Sequence, residues 1–134
     1  ELTTEMFKTL ADLPQLFGAL SEAGVAIAVV TSDDEAPTRA TLDLLGVSQL
    51  VNFVAGADSG YGEKPEPGGV LAACSATGVD LARTAVVGDS TTDMLMARRA
   101  GAGLRVAVAS GFASETVLAP AAHIVLASIA EIRP

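Results

Sequence analysis

The run Ala85-Val86-Val87 is β-branched and apolar, and it ends abruptly in Gly88-Asp89-Ser90. Apolar residues at Met94, Leu95, Ala97 and Ala100 then recur with helical spacing until Gly101 stops the pattern. A strand therefore feeds directly into a helix, with a carboxylate at the junction. In an open parallel sheet, ligands bind at the carboxyl ends of strands, above all where the strand order switches. Asp89 stands at such an end, and Asp93 lies one helical turn further on the same side. Two carboxylates there suit a hard cation such as Mg²⁺, which takes oxygen ligands from one or two carboxylates, water and phosphate. The plainer reading stays open: Asp89, Ser90 or Thr91 caps the helix, and Asp93 favours its dipole.

The same alternation runs along the chain. Residues 1–12 carry Met6, Phe7 and Leu10 as apolar points of a short helix. Leu13-Pro14 opens a second helix that presents Leu16, Phe17 and Leu20 on one face and stops at Gly24. Val25 to Val30 is an almost unbroken apolar run, as expected of a strand buried on both faces, and it ends in Thr31-Ser32-Asp33-Asp34. A helix over 37–45 turns Ala40, Leu44 and Leu45 inward, and Phe53 to Ala57 form a short strand. The stretch from Asp58 to Gly69, rich in Gly and Pro, is a loop that carries Lys64. Further elements are a helix over 70–76, strands over 84–87, 104–109 and 124–126, and a short helix from Ser114 to Leu118. Such alternation predicts an α/β fold with a doubly wound, Rossmann-like parallel sheet and right-handed crossovers.

Half of the 134 residues are hydrophobic, enough for one domain with a real core. The formal net charge of −8 and the pI near 4.4 argue against nucleic acid or an anionic membrane surface as partner. A small anionic substrate remains compatible where a metal and a lysine make the pocket locally positive. Cys74 is the lone cysteine, which excludes an internal disulfide framework and reads as core packing in a reducing compartment. No signal peptide is evident and the apolar runs are too short to span a bilayer, so the cytoplasm is the expected location. A monomer and a weak homodimer are equally compatible with this size.

Three polar clusters thus fall on the carboxyl side of the sheet: Thr31-Ser32, Lys64, and Asp89 with Asp93. Singly, each has an ordinary explanation, a helix cap or a solvated lysine. Together they supply hydroxyl and N–H donors, an ammonium and a cation site, the parts needed to hold a phosphoryl group and stabilise its charge during transfer.

The segments Val29-Val30-Thr31-Ser32, Gly62-Glu63-Lys64-Pro65-Glu66-Pro67 and Val87-Gly88-Asp89-Ser90-Thr91-Thr92-Asp93, the last followed by Ala97-Arg98-Arg99-Ala100-Gly101, resemble motifs II, III and IV of the haloacid dehalogenase superfamily. The resemblance runs from about Leu13 to the C-terminus and is nearest to phosphoglycolate-phosphatase-like hydrolases. It implies a core domain over 13–134, with residues 1–12 as an N-terminal helix or the remnant of a cap or linker. It also implies roles. Thr31 would give its hydroxyl to phosphoryl oxygens and Ser32 its backbone N–H. Lys64 would pair with the phosphoryl group and the nucleophile. Asp89 would be a Mg²⁺ ligand, and Asp93 would support it directly or through a metal-bound water. The implied activity is Mg²⁺-dependent hydrolysis of a small phosphorylated metabolite through an aspartyl-phosphate intermediate.

One motif of that family is missing. Its nucleophile belongs to Asp-x-Asp-Gly-Thr at the end of an N-terminal strand, and this chain has no such sequence. Asp12 follows no apolar strand, and Asp33 and Asp34 stand where the family starts a helix. The nucleophile strand would lie centrally, between the strands ending at Thr31 and Asp89, and a core without it leaves buried backbone groups unpaired at roughly 1–3 kcal/mol each. Three arrangements resolve this: a longer protein with the strand upstream, a second polypeptide that provides it, or a sheet rearranged to close the gap. The rival reading is a pseudo-phosphatase or phosphate-binding interaction domain. Residues 32–63 are already filled by helix and strand, which leaves no room for a large inserted cap. Tyr61, Ser110 and Phe112 are candidates for the pocket mouth. His123 reads as structural or exposed, and Arg98 and Arg99 as solvating the outer face of their helix.

Overall fold

The computed structural model describes residues 13–109, 114–127 and 129–132. The expected helix in residues 1–12, and Ser110 and Phe112, lie outside them. In chain order the elements are α1 (Leu13–Glu22), β1 (Ala28–Val30), α2 (Glu35–Leu44), β2 (Phe53–Ala55), α3 (Gly68–Thr77), β3 (Ala85–Gly88), α4 (Thr91–Ala100), β4 (Leu104–Val108), α5 (Glu115–Leu118) and β5 (Ile124–Leu126). All strand pairings among the described residues are parallel. The fold is the expected α/β alternation, divided into two sheets of order β1-β2 and β3-β4-β5.

That division falls between β1 and β3, where the missing central strand was expected. Each of these two strands has a single partner among the described residues, β2 for β1 and β4 for β3. The two are nevertheless held in one body by the helices beneath them. Val30 of β1 and Val86 of β3 pack on the same cluster of Val70, Met96 and Ala100, contributed by α3 and α4. A second cluster joins Leu13 and Phe17 of α1, Leu42 of α2, Val54 of β2, and Ile27 and Val47. A third packs Met94 of α4 on Ala107 of β4 and on Leu118. Helix α4 thus buries two faces, one in the first of these sets and one in the third, which is why Met94, Met96 and Ala97 are all enclosed.

Two sequence expectations are corrected here. Val25 to Val30 is not a strand buried on both faces: β1 begins at Ala28, Val25 is exposed, and Val29 and Val30 are half-buried. An apolar run predicts burial on both faces only where packing covers both, and within 25–30 only Ile27 is fully enclosed. On α2 the inward residue is Leu42, whereas Leu44 is 89% exposed and Ala40 is exposed. Thr38, Thr41, Leu42 and Leu45 follow the i, i+3, i+4, i+7 stripe, and Leu44 is about 200° round the helix from Leu42. Likewise Leu95 points outward and Met96 inward. Cys74 is half-buried, with Sγ 3.3 Å from Thr84 Oγ1. No helix among the described residues is long and apolar enough to cross a membrane.

Candidate active site

The junction of β3 and α4 places both aspartates inside the protein, Asp89 at 3% and Asp93 at 1% exposure. Ser90 is the N-cap of α4, in extended backbone conformation, and its Oγ accepts the Asp93 N–H at 3.2 Å. The same hydroxyl donates to Asp93 Oδ2 at 2.9 Å, and the Asp89 N–H donates to that oxygen at 3.3 Å. The Ser-x-x-Asp spacing is a capping box, so the capping reading and the functional reading are realised by the same atoms. Gly88 makes the close approach possible, because a Cβ on it would sit 2.4 Å from the Asp93 Cβ.

Lys64 arrives from the other sheet. It lies on the loop between β2 and α3, and its Nζ meets Asp93 Oδ1 at 2.7 Å, with both side chains almost fully enclosed. This ion pair ties the rims of the two sheets together. Burial by itself raises the Asp93 pKa, but neighbouring positive charge, Lys64 among it by both charge and hydrogen bond, outweighs burial and holds the carboxyl down at about 2. Asp93 is thus an anion at any physiological pH.

Thr31 follows β1, fixed by its N–H to Ala55 O at 2.9 Å, and its Oγ1 accepts the Asp33 N–H at 3.1 Å. That bond uses an acceptor lone pair and leaves the hydroxyl O–H as a potential donor. Ser32 is exposed beside it. This loop is laced to the one after β2: Ala57 N donates to Asp33 O at 2.8 Å, and Asp58 Oδ1 accepts the Glu35 N–H at 2.8 Å. Gly56 permits it, since a Cβ there would lie 2.5 Å from Glu35 N. The structure therefore joins Lys64, Asp93 and Asp89 directly and sets Thr31 and Ser32 at the end of β1, with no hydrogen bond between the two sets among the described residues. Asp33 and Asp34 are exposed, and Asp34 occupies the N-cap position of α2. Tyr61 is partly exposed with its ring against Phe53, centroids 5.7 Å apart. The His123 Nδ1 accepts the Arg105 N–H at 2.8 Å, a structural role.

The donor set has the right chemistry for a small hard cation: two enclosed carboxylates at a strand end. Both Asp93 oxygens are already engaged by Lys64, Ser90 and Asp89 N–H, which suits Asp93 to a supporting role beside Asp89. No group of three or more His, Cys, Asp or Glu side chains able to hold a metal gathers among the described residues, so phosphate and water would complete the sphere. Residues missed at the level of sequence are Ser90 as donor to Asp93 and Gly88 as the gap for it. The capping spacing pointed to the first, and a glycine directly before a strand-end aspartate to the second.

The family profile of haloacid dehalogenase-like hydrolases matches residues 2–101. A phosphoglycolate phosphatase of Rhodospirillum rubrum is 35% identical over 102 residues, 76% of this chain and 42% of that protein. Among solved structures, a predicted phosphoglycolate phosphatase of Haemophilus somnus superposes with a TM-score of 0.81 at 24% identity, covering 90% of this chain and 53% of that one. A haloacid dehalogenase family hydrolase of Deinococcus radiodurans, solved with bound phosphate and sodium, gives 0.76 at 26% identity, over 88% and 54%. The chain belongs to the haloacid dehalogenase-like hydrolase family. It spans about half the length, or less, of the relatives it matches, and it carries the family's later motifs without Asp-x-Asp-Gly-Thr.

Proposed function

We propose that these residues are the phosphate-gripping and cation-binding part of a Mg²⁺-dependent phosphomonoester hydrolase, whose nucleophilic aspartate lies on a strand outside residues 1–134. The observation that carries this reading is the enclosed Lys64–Asp93 pair at 2.7 Å, joined to Asp89 at the same strand end. Holding a lysine and two carboxylates out of water costs free energy that a purely structural junction has no need to spend. Among the described residues β1 pairs only with β2 and β3 only with β4, which supports a further parallel strand between them in the complete protein, ending at the rim beside Lys64. The core domain over 13–134 is part of the same reading.

In that arrangement the upstream carboxylate attacks phosphorus, the ester P–O bond breaks, and the alcohol leaves with a proton. Water then cleaves the aspartyl phosphate. The Thr31 hydroxyl and Ser32 N–H hold phosphoryl oxygens, and the Lys64 ammonium neutralises charge on them while orienting the nucleophile. Asp89 would hold Mg²⁺, whose contribution is to offset phosphoryl charge. The relatives named as phosphoglycolate phosphatases support a small phosphorylated metabolite as substrate, and the phosphate seen with the Deinococcus hydrolase supports the anion site. The absent nucleophile motif favours a second reading for these residues by themselves, a phosphate-binding domain without turnover.

The reading frame upstream of Glu1 separates the two. An apolar strand ending in alternate aspartates is expected for the enzyme, and a start codon at Glu1 for the binding domain. In the longer protein, Asp89→Asn should lower kcat for p-nitrophenyl phosphate with Mg²⁺ on the order of 10²-fold or more. Residues 1–134 alone should turn over negligibly. Fast turnover by them that Asp33→Asn abolishes would overturn the assignment of an outside nucleophile.

A further inference from the structure

Helix α4 carries a second feature on the face turned away from Asp93. Thr91, Leu95 and Arg98 succeed one another at i, i+4 and i+7 and form one wall of a surface groove of about 90 Å³. Arg105 of β4 and the turn at Pro120 and Ala121 form the other wall, with Met94 also lining it. The groove is cationic in a chain whose net charge is −8, and among the described residues no carboxylate lines it.

Within the described residues the two guanidiniums are not engaged in ion pairs as Arg39 and Lys64 are. Arg39 is paired with Glu35 and Lys64 with Asp93. Among the described residues the Arg98 side chain makes no hydrogen bond or ion pair, and the Arg105 side chain uses only Nε, donated to Ala121 O at 2.9 Å. That bond fixes the plane of the Arg105 guanidinium and leaves its two terminal nitrogens for a ligand. A planar fork held in place loses little entropy on pairing with an oxyanion. Thr91 and Arg98 are about 10 Å apart along the helix axis, at 1.5 Å per residue, so one small anion cannot span both.

We propose that this groove is an oxyanion site distinct from the rim at Asp89. A carboxylate or phosphate group would sit between Arg98 and Arg105, with a short apolar body laid over Leu95 and Pro120 towards the Thr91 hydroxyl. The site does not depend on the phosphatase reading. A ligand there would clamp the outer face of α4 to β4, beside the helix that holds Asp93.

Phenylphosphonate, which is not hydrolysed, is the probe, with amide shifts followed in ¹⁵N-labelled protein. Saturable shifts are expected at Leu95, Arg98, Arg105 and Ala121. Arg98→Gln should weaken binding about tenfold or more, as loss of a charge-assisted bidentate contact does. Arg99→Gln is the control: Arg99 is exposed on the same last turn and does not line the groove. Shifts confined to Thr31, Ser32 and Lys64, no saturable shift at all, or equal weakening by Arg99→Gln would each overturn the groove. The first of those results would leave the rim reading intact.

Discussion

Strand β4 pairs on both sides, over four positions with β3 and three with β5, whereas β1 and β2 share three positions. The polar residues follow the same division. At the β3 end Asp89 and Asp93 are enclosed, with Asp93 ionised against Lys64, while at the β1 end Thr31 and Ser32 sit on a half-exposed loop laced, among the described residues, to the loop after β2. The residues proposed for the cation are therefore built into the packed half, where burial strengthens electrostatics, and those proposed for the anion are carried by backbone turns. Lys64 crosses from one half to the other, so its pair with Asp93 is both a site contact and the rim's fastening.

Breaking that fastening should give the largest effect. Lys64→Met leaves the enclosed Asp93 charge without its ammonium and should cost about 3–5 kcal/mol in urea unfolding of the chain. Lys64→Met combined with Asp93→Asn should recover much of the loss, because the amide keeps the shape without the charge. A loss under 1 kcal/mol in the single variant would mean that the two halves do not rely on this pair. Next in size is Gly88→Ala. A methyl 2.4 Å from the Asp93 Cβ forces β3 and α4 apart, and about 1–3 kcal/mol of stability should go with it.

These two positions also show what could be seen in the sequence. The elements themselves were legible, since period and caps agree over α1, α3, α4 and β3 to β5. So was the Asp89–Asp93 pairing, which one helical turn dictates. The strand-end placement grouped Lys64 with the aspartates, but its direct ion pair with Asp93 was not legible, because nothing in local spacing relates a loop lysine to an aspartate in another element, and the resemblance paired it with the phosphoryl group and the nucleophile instead. Burial in α2 and β1 was misjudged for a related reason. Leu44 and the run from Val25 are apolar, yet whether such residues are covered depends on neighbours that a one-dimensional pattern does not contain.

Acid should act selectively on the packed half. Asp93 has a folded pKa of about 2 against an ordinary 3.8, so its stabilising contribution is complete above pH 4 and is lost as pH falls through that window. The sign follows because the unfolded chain takes up the proton first. The loss should be on the order of 1–2 kcal/mol between pH 4 and 2, and Asp93→Asn should flatten that part of the stability–pH curve. An unchanged curve in the variant would place the titrating group elsewhere. Ser90→Ala removes both the cap and the donor to Asp93 Oδ2, and about 0.5–2 kcal/mol is expected.

The smallest effect belongs to the other half. Arg39 and Glu35 form an ion pair at 2.9 Å, one turn apart on α2, but their side chains are 57% and 37% exposed. Glu35 is held below the ordinary carboxyl range first by the Ser59 hydroxyl, then by Arg39, so the pair looks well organised. Organisation is not stability where water competes for both partners, and an exposed i,i+4 pair on a helix is worth little. Arg39→Met should leave the urea midpoint within measurement error, in the same buffer in which Lys64→Met moves it by a large margin. A comparable shift from both would show that enclosure, the property separating the two halves, is not what gives the Lys64–Asp93 contact its weight.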